Sequence, residues 1–299
     1  MAADHPPRGV PGRRLEWALA LLGSFMVVEV VGGWWTGSLA LLSDAGHMAS
    51  DVAALVLALL AARIARRSPT PRQTYGFHRA EVLAALINAS ALMAVAASVC
   101  SEAVHRLRSP PEVLGGPMLV IAAGGLAVNA GALALLGGHH RHGLNVRAAF
   151  LHLVGDTLGS LGAVASGIAV TAWDARWADP AVSIFIALLL VVSGLRLLRE
   201  VLDILMEGMP RHLDPDGLRD RILATPGVRS FHDLHVWTLS SGREVLSCHL
   251  VTDGTRPPEA VRRAIREALE PLGLRHLTVQ IEEADCGEDC ASGPVSPGG

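Results

Sequence analysis

Six stretches of this 299-residue chain are long and apolar enough to cross a bilayer, and that decides most of what the chain can become. A hydrocarbon core of about 30 Å needs about 20 consecutive apolar residues in a helix. The stretches run approximately from Leu15 to Trp35, Leu39 to Ala62, Ala80 to Val104, Pro117 to Leu136, Ala148 to Trp173 and Ala181 to Leu198. Only a turn at Thr36-Gly37-Ser38 separates the first two. The expected fold is therefore an all-α membrane bundle of six transmembrane helices over 15–207, after a short cytoplasmic segment at 1–14.

Composition agrees. The chain is 51% hydrophobic with a mean hydropathy of +0.39, too apolar for a soluble enzyme of this length. Aromatics are only 4%, so the apolar mass is Ala, Leu, Val and Gly, which suits closely packed membrane helices. All 25 basic residues are arginine, which reads as coding bias, and a net charge of −3 offers nucleic acid no attraction. Met1 to Arg14 is polar and Pro-rich and the apolar run after it is long enough to span, so no cleavable signal peptide is expected. The four cysteines make no disulfide framework, with Cys100 mid-helix and Cys286 and Cys290 in a tail.

Arginine placement sets an orientation. Arg8, Arg13 and Arg14 precede the first span, and Arg63, Arg66, Arg67, Arg72 and Arg79 crowd the link between the second and third. Arg141 and Arg147 lie between the fourth and fifth, and Arg196 and Arg199 close the sixth, whereas the opposite loops hold only Arg106, Arg108 and Arg176. Because basic loops stay inside, both termini are expected in the cytoplasm of a multi-pass plasma (inner) membrane protein.

After Glu207-Gly208-Met209-Pro210 the pattern becomes that of a soluble domain, expected at 208–285. Asp214 to Ala224 reads as a helix with Asp214 as N-cap and Pro215 at its first position. Phe231 to Leu239 and Glu244 to Thr252 read as strands joined at Ser241-Gly242, Pro258 to Leu272 as a second helix, and His276 to Glu282 as a third strand. This αββαβ order fits a small cytoplasmic α+β domain. From 286 to 299 Gly, Pro and Ser dominate, and disorder is expected.

Within the apolar stretches the same spacer occurs twice, His47-x-x-x-Asp51 and His152-x-x-x-Asp156. Residues four apart lie on one face of a helix. An Asp at the centre of a membrane helix costs roughly 2.5–3.5 kcal/mol on insertion scales, so such groups mark pathways and sites. Two imidazoles and two carboxylates make a tetrahedral N2O2 set that suits Zn(II) or a neighbouring first-row ion, and the carboxylates neutralise its charge. Metal needs ionised carboxylates and neutral imidazoles, so proton and metal compete for the same four residues, and no separate proton relay is expected.

These residues sit in longer motifs. Ser38-Leu-Ala-Leu-Leu-Ser-Asp-Ala-Gly-His-Met-Ala-Ser-Asp51, Tyr75-Gly-Phe-His-Arg-Ala-Glu81, His152-Leu-Val-Gly-Asp156-Thr-Leu-Gly-Ser160 and His232-Asp-Leu-His-Val-Trp237 together resemble the cation diffusion facilitator family, most closely its zinc-transporting branch. The resemblance covers about Trp17 to Glu282. It implies a six-span, homodimeric zinc/proton antiporter with a ferredoxin-like cytoplasmic domain, and carries His47, Asp51, His152 and Asp156 over as the transport site. In this family an Asp in place of the first His goes with broader metal preference, so His47 favours zinc, with Co(II), Cd(II) or Fe(II) as further cargo to be tested.

In the soluble domain His232, His235, His249, His276 and Glu282 are candidate metal ligands; the resemblance places His232, His249 and Glu282 in a cytoplasmic metal site, with Cys286 and Cys290 resembling the cysteine pair that completes this centre in some relatives. The Cys-x3-Cys spacing is wider than the x2 usual in zinc sites. His235 lies three residues from His232, and strand alternation puts the two on opposite faces. The resemblance also makes His78, at the entry to the third span, a candidate secondary metal site, and His139-His140-Arg-His142 a short counterpart of the metal-collecting segments the family carries before the fifth span. Glu29, Asp44, Asn129 and Asn88 read as packing or hydrogen-bonding groups within the spans. Two other readings remain open. An intramembrane metallohydrolase needs an open coordination position and a general base, yet no His-Glu-x-x-His occurs. A metal-gated sensor needs only the soluble domain's site and leaves the duplicated spacer unexplained.

Overall fold

The structure, a computed structural model, describes residues 12–137, 144–240 and 242–284, and within 12–22, 132–137 and 144–153 only the backbone. Six long helices come first: α1 (Gly12–Thr36), α2 (Leu39–Ala65), α3 (Ala80–Arg108), α4 (Gly115–Gly137), α5 (Leu144–Trp173) and α6 (Ala178–Leu205). Each contains the apolar core of the stretch expected from the sequence and runs past it at one or both ends, because polar end residues continue a helix at no cost once they reach water. Among the described residues α2, α3, α6 and α5 from Val154 are long and apolar enough to cross a membrane, and α4 adds a shorter apolar stretch, Gly115–Gly131. Then come α7 (Pro215–Leu223), β1 (Val228–Ser240), β2 (Arg243–Thr252), α8 (Pro258–Leu269), which ends in a 3₁₀ turn at Glu270–Leu272, and β3 (His276–Glu282). The chain thus has the expected helical membrane region followed by an αββαβ domain. Two compact units are resolved, with boundaries at 57/58, 86/87 and 196/197.

In the first unit Ala40 and Leu41 of α2, Met118 and Ala122 of α4, Ala163 of α5 and Ile186 of α6 form one buried cluster. Leu92 and Ala96 of α3 pack on Leu190 of α6 in another. Small residues at these contacts let backbones approach closely, which is how helices associate where lipid offers no hydrophobic driving force.

The turn between α1 and α2 works because Gly37 takes φ +73° at no steric cost. It leaves the first N–H groups of α2 without intrahelical partners, and another helix supplies them. Asp179 of α6 is fully buried, and its carboxylate accepts from Ser38 Oγ (2.6 Å), Leu39 N (2.7 Å) and Ala40 N (3.2 Å). Ser38 Oγ in turn accepts from Leu41 N (3.2 Å), and Arg106 at the end of α3 donates to Gly37 O (2.6 Å). A carboxylate suits this position because a helix N-terminus carries partial positive charge.

In the second unit the sheet order is β1-β2-β3, antiparallel between β1 and β2 and parallel between β2 and β3. Leu246, Cys248 and Leu250 alternate toward a core closed by Leu218 and Ile222 of α7 and Val261, Ile265 and Leu269 of α8. The intervening residues face the other side, so His249, Gln280 and Glu282 share the face away from that core. Asp214 caps α7 by accepting from Gly217 N (3.0 Å), as its sequence position implies.

Candidate metal centres

His47 Nε2 is the meeting point of the first centre. It lies 3.0 Å from Asp156 Oδ1 across the α2–α5 contact and 3.8 Å from Asp51 Oδ2 one turn further along α2. The shorter contact is a hydrogen bond, the imidazole N–H donating to the carboxylate. The side chains of His47 and Asp156 are 14% and 12% exposed, that of Asp51 42%, so the cluster is sheltered yet open along the Asp51 side. Three of the four residues singled out by their spacing thus come together. The fourth, His152, lies on α5 one turn before Asp156, and its side chain is outside the described residues.

Beside this centre lies a second polar group whose arrangement spacing could not reveal. Glu29 of α1 and Asp44 of α2 are only 1% and 2% exposed. Asn129 of α4 donates to Ser160 Oγ of α5 (2.9 Å), and Ser160 donates to Asp44 Oδ2 (3.1 Å). Ser160 drew no notice in the sequence beyond closing the His152 motif. A serine in a helix is silent until its neighbours are known.

The cytoplasmic candidates also converge. His232 Nε2 lies 3.4 Å from Glu282 Oε2 and His249 Nδ1 3.0 Å from Glu282 Oε1. One ligand atom from each of the three falls within 4.8 Å of the others. Register explains it: His232 sits directly opposite His249, and Glu282 is two positions along the neighbouring strand from His249's own partner, Gln280.

His235 corrects the expectation from strand alternation. A β-bulge falls between His232 and His235, and Asp233 within it takes φ +51°. The extra residue shifts the period, so His235 pairs with Ser247 on the same face as His232 and His249. Its Nε2 lies 2.9 Å from Asp233 Oδ1, and the other oxygen of Asp233 lies 3.8 Å from His249 Nε2.

The remaining candidates go elsewhere. His276 packs edge-on against Tyr75 (5.6 Å between centroids), and His78 Nε2 accepts from Arg243 (2.7 Å). Neither belongs to the cytoplasmic triad. Cys286, Cys290, His139, His140 and His142 lie outside the described residues. Cys248, next to His249 but facing the core, is 1% exposed, and burial pushes its thiol up to about 12.

Comparison with known proteins fits this geometry. The cation efflux transmembrane domain matches residues 17–206, and the cytoplasmic domain of cation efflux proteins matches 210–284. The chain is 41% identical over 296 residues to zinc transporter ZitB of Escherichia coli, spanning 96% of this chain and 93% of that one. It is 41% identical to the metal cation efflux system protein CzcD of Cupriavidus metallidurans, over 95% and 90% of the two chains. To the cadmium, cobalt and zinc/H(+)-K(+) antiporter of Bacillus velezensis it is 39% identical, over 97% and 94%. Apolar helices with ionisable groups meeting inside them, followed by the small α+β domain, define a multi-pass membrane transporter and not an enzyme. The chain belongs to the cation efflux family.

Proposed function

We propose that the chain exports Zn(II) from the cytoplasm in exchange for external protons, with His47, Asp51, His152 and Asp156 holding the metal in transit. The observation that carries this reading is His47 Nε2 within 4 Å of two carboxylates from two helices, at a depth where ionisable groups are costly. With His152, one turn from Asp156 in sequence, as the fourth ligand, the set would be N2O2 and could close a tetrahedron, as a carrier needs and a hydrolase does not. The names of the relatives support the cargo and the exchange, since all three concern metal cations, two name zinc, and one names an antiporter with H(+).

In this mechanism Zn(II) reaches the site from the cytoplasmic side and displaces the hydrogen between His47 and Asp156. The bundle then opens outward, and protons arriving from outside retake the ligands. His232, His249 and Glu282 bind zinc in the cytoplasm as a regulatory site, in a domain through which two copies of the chain pair. Both termini face the cytoplasm of the inner membrane in this reading, and the arginine bias of the loops supports that orientation of the termini.

The test is zinc uptake into inside-out membrane vesicles. Wild type accumulates zinc and loses the accumulation when a protonophore is added. His47→Ala and Asp156→Ala, present in the membrane at wild-type amounts, accumulate none. Normal uptake by either variant would overturn the site assignment, and zinc flux indifferent to the pH gradient at fixed membrane potential would overturn the exchange.

A further inference from the structure

The bulge in β1 does more than displace His235. On a regular strand Asp233 would follow His232 to the opposite face. With φ +51° it instead turns its carboxylate onto the face that His232 and His249 share. Each oxygen then has its own histidine. Oδ1 accepts from His235 Nε2 (2.9 Å), and Oδ2 lies 3.8 Å from His249 Nε2. The first bond holds the carboxylate in place and leaves the second oxygen facing His249.

His249 has a carboxylate at each ring nitrogen. Its Nδ1 lies 3.0 Å from Glu282 Oε1 but off the line of a hydrogen bond, and Nδ1 and Glu282 Oε2 are both buried without a hydrogen-bond partner. Two such atoms side by side, with a further nitrogen from His232, fit a divalent ion better than they fit each other. A neutral imidazole carries one N–H. For Nδ1 to offer its lone pair to an ion, that hydrogen must sit on Nε2, and Asp233 is there to accept it. Asp233 and His235 themselves lie outside the group of converging ligand atoms.

We propose that Asp233 is a positioning residue for the cytoplasmic zinc site, held by His235 and holding His249 in the tautomer that ligates through Nδ1. This rests on the reading of His232, His249 and Glu282 as that site. The 3.8 Å gap is about 1 Å longer than a hydrogen bond, so the His249 ring closes it with a small turn as Nδ1 engages an ion. A carboxylate behind a ligating imidazole fixes the ring and strengthens its donor nitrogen, and removing such a partner lowers metal affinity by about 10–100-fold. The positive φ of Asp233 is then the strain that places this carboxylate.

The full chain carrying His47→Ala and Asp156→Ala, which strip two ligands from the proposed transport site, tests this by zinc titration against a chromophoric chelator. Asp233→Gly in that parent keeps the backbone angle and removes the carboxylate. It should weaken zinc binding about tenfold or more. His235→Ala should weaken it by less, and should add nothing once residue 233 is glycine, because it acts through that carboxylate. Cobalt(II) in place of zinc should give the parent's visible band in Asp233→Gly, since the ligands are unchanged. Parental affinity in Asp233→Gly, or additive losses in the double variant, would overturn the proposal. A shifted cobalt band would make Asp233 a ligand and overturn it equally. Should Asp233→Gly not fold, Asp233→Asn tolerates the same angle and has one accepting oxygen for two histidines, so it too should weaken binding, and parental affinity there counts against the proposal. If His249→Ala leaves zinc binding by the parent unchanged, the cytoplasmic site itself fails and the role of Asp233 with it.

Discussion

At the scale of single residues, His47 is limited by having one nitrogen for two carboxylates. Asp156 holds Nε2 at 3.0 Å, so zinc bound through that nitrogen, as proposed, would have to break that bond. Apparent zinc affinity should therefore fall steeply as pH drops through the histidine range, because the imidazole must be neutral to ligate. Equilibrium zinc titrations of the detergent-solubilised protein across that range check this, and an affinity flat with pH would contradict it. Cys248 offers a contrasting test. With its thiol pushed up to about 12, the thiolate fraction at pH 8 is about one in ten thousand. Maleimide labelling read by mass spectrometry should leave Cys248 unmodified in the native protein and modify it only after unfolding.

At the scale of elements, periodicity carried the reading a long way and then failed at a single residue. The six helices, the αββαβ order and the shared face of His47 and Asp51 were legible because helices and strands repeat at 3.6 and 2 residues. The bulge at Asp233 was not. It breaks the period without a glycine to announce it, since aspartate is among the few other residues that tolerate a positive φ. The consequence for experiment is specific. Zinc at 100 times its Kd for the cytoplasmic site should stabilise the folded protein by about 2.7 kcal/mol. His232→Ala should abolish the corresponding rise in Tm, whereas His235→Ala, which reaches His249 only through Asp233, should diminish it. Equal loss in both would make His235 a ligand, and no loss in His235→Ala would make its contact with Asp233 incidental. The clasp between α6 and the start of α2 was hidden for another reason, because the partners are about 140 residues apart and nothing local marks Asp179 as a cap. Asp179→Ala leaves buried N–H groups of α2 without acceptors, and should cost of the order of 3 kcal/mol in thermal unfolding. Asp179→Asn, which keeps an accepting oxygen, should recover part of that.

At the scale of the whole molecule, the proposed exchange of zinc for protons would require the proposed ligands to come apart and reassemble, and the anchored end of α2 limits how. A helix whose first turn is held by a carboxylate and a neighbouring serine cannot slide along its axis without losing all of those bonds at once. It can swing about them. His47 stands eight residues beyond Leu39, a lever arm of about 12 Å at the helical rise. A tilt of ten degrees about that fulcrum displaces the imidazole by about 2 Å, against a tolerance of about 0.2 Å for a metal–ligand distance. One degree already consumes the tolerance. If His47 holds the cargo as proposed, its release would need no large excursion of the bundle, only a small rotation about a fixed end, with the distance from the pivot providing the gain.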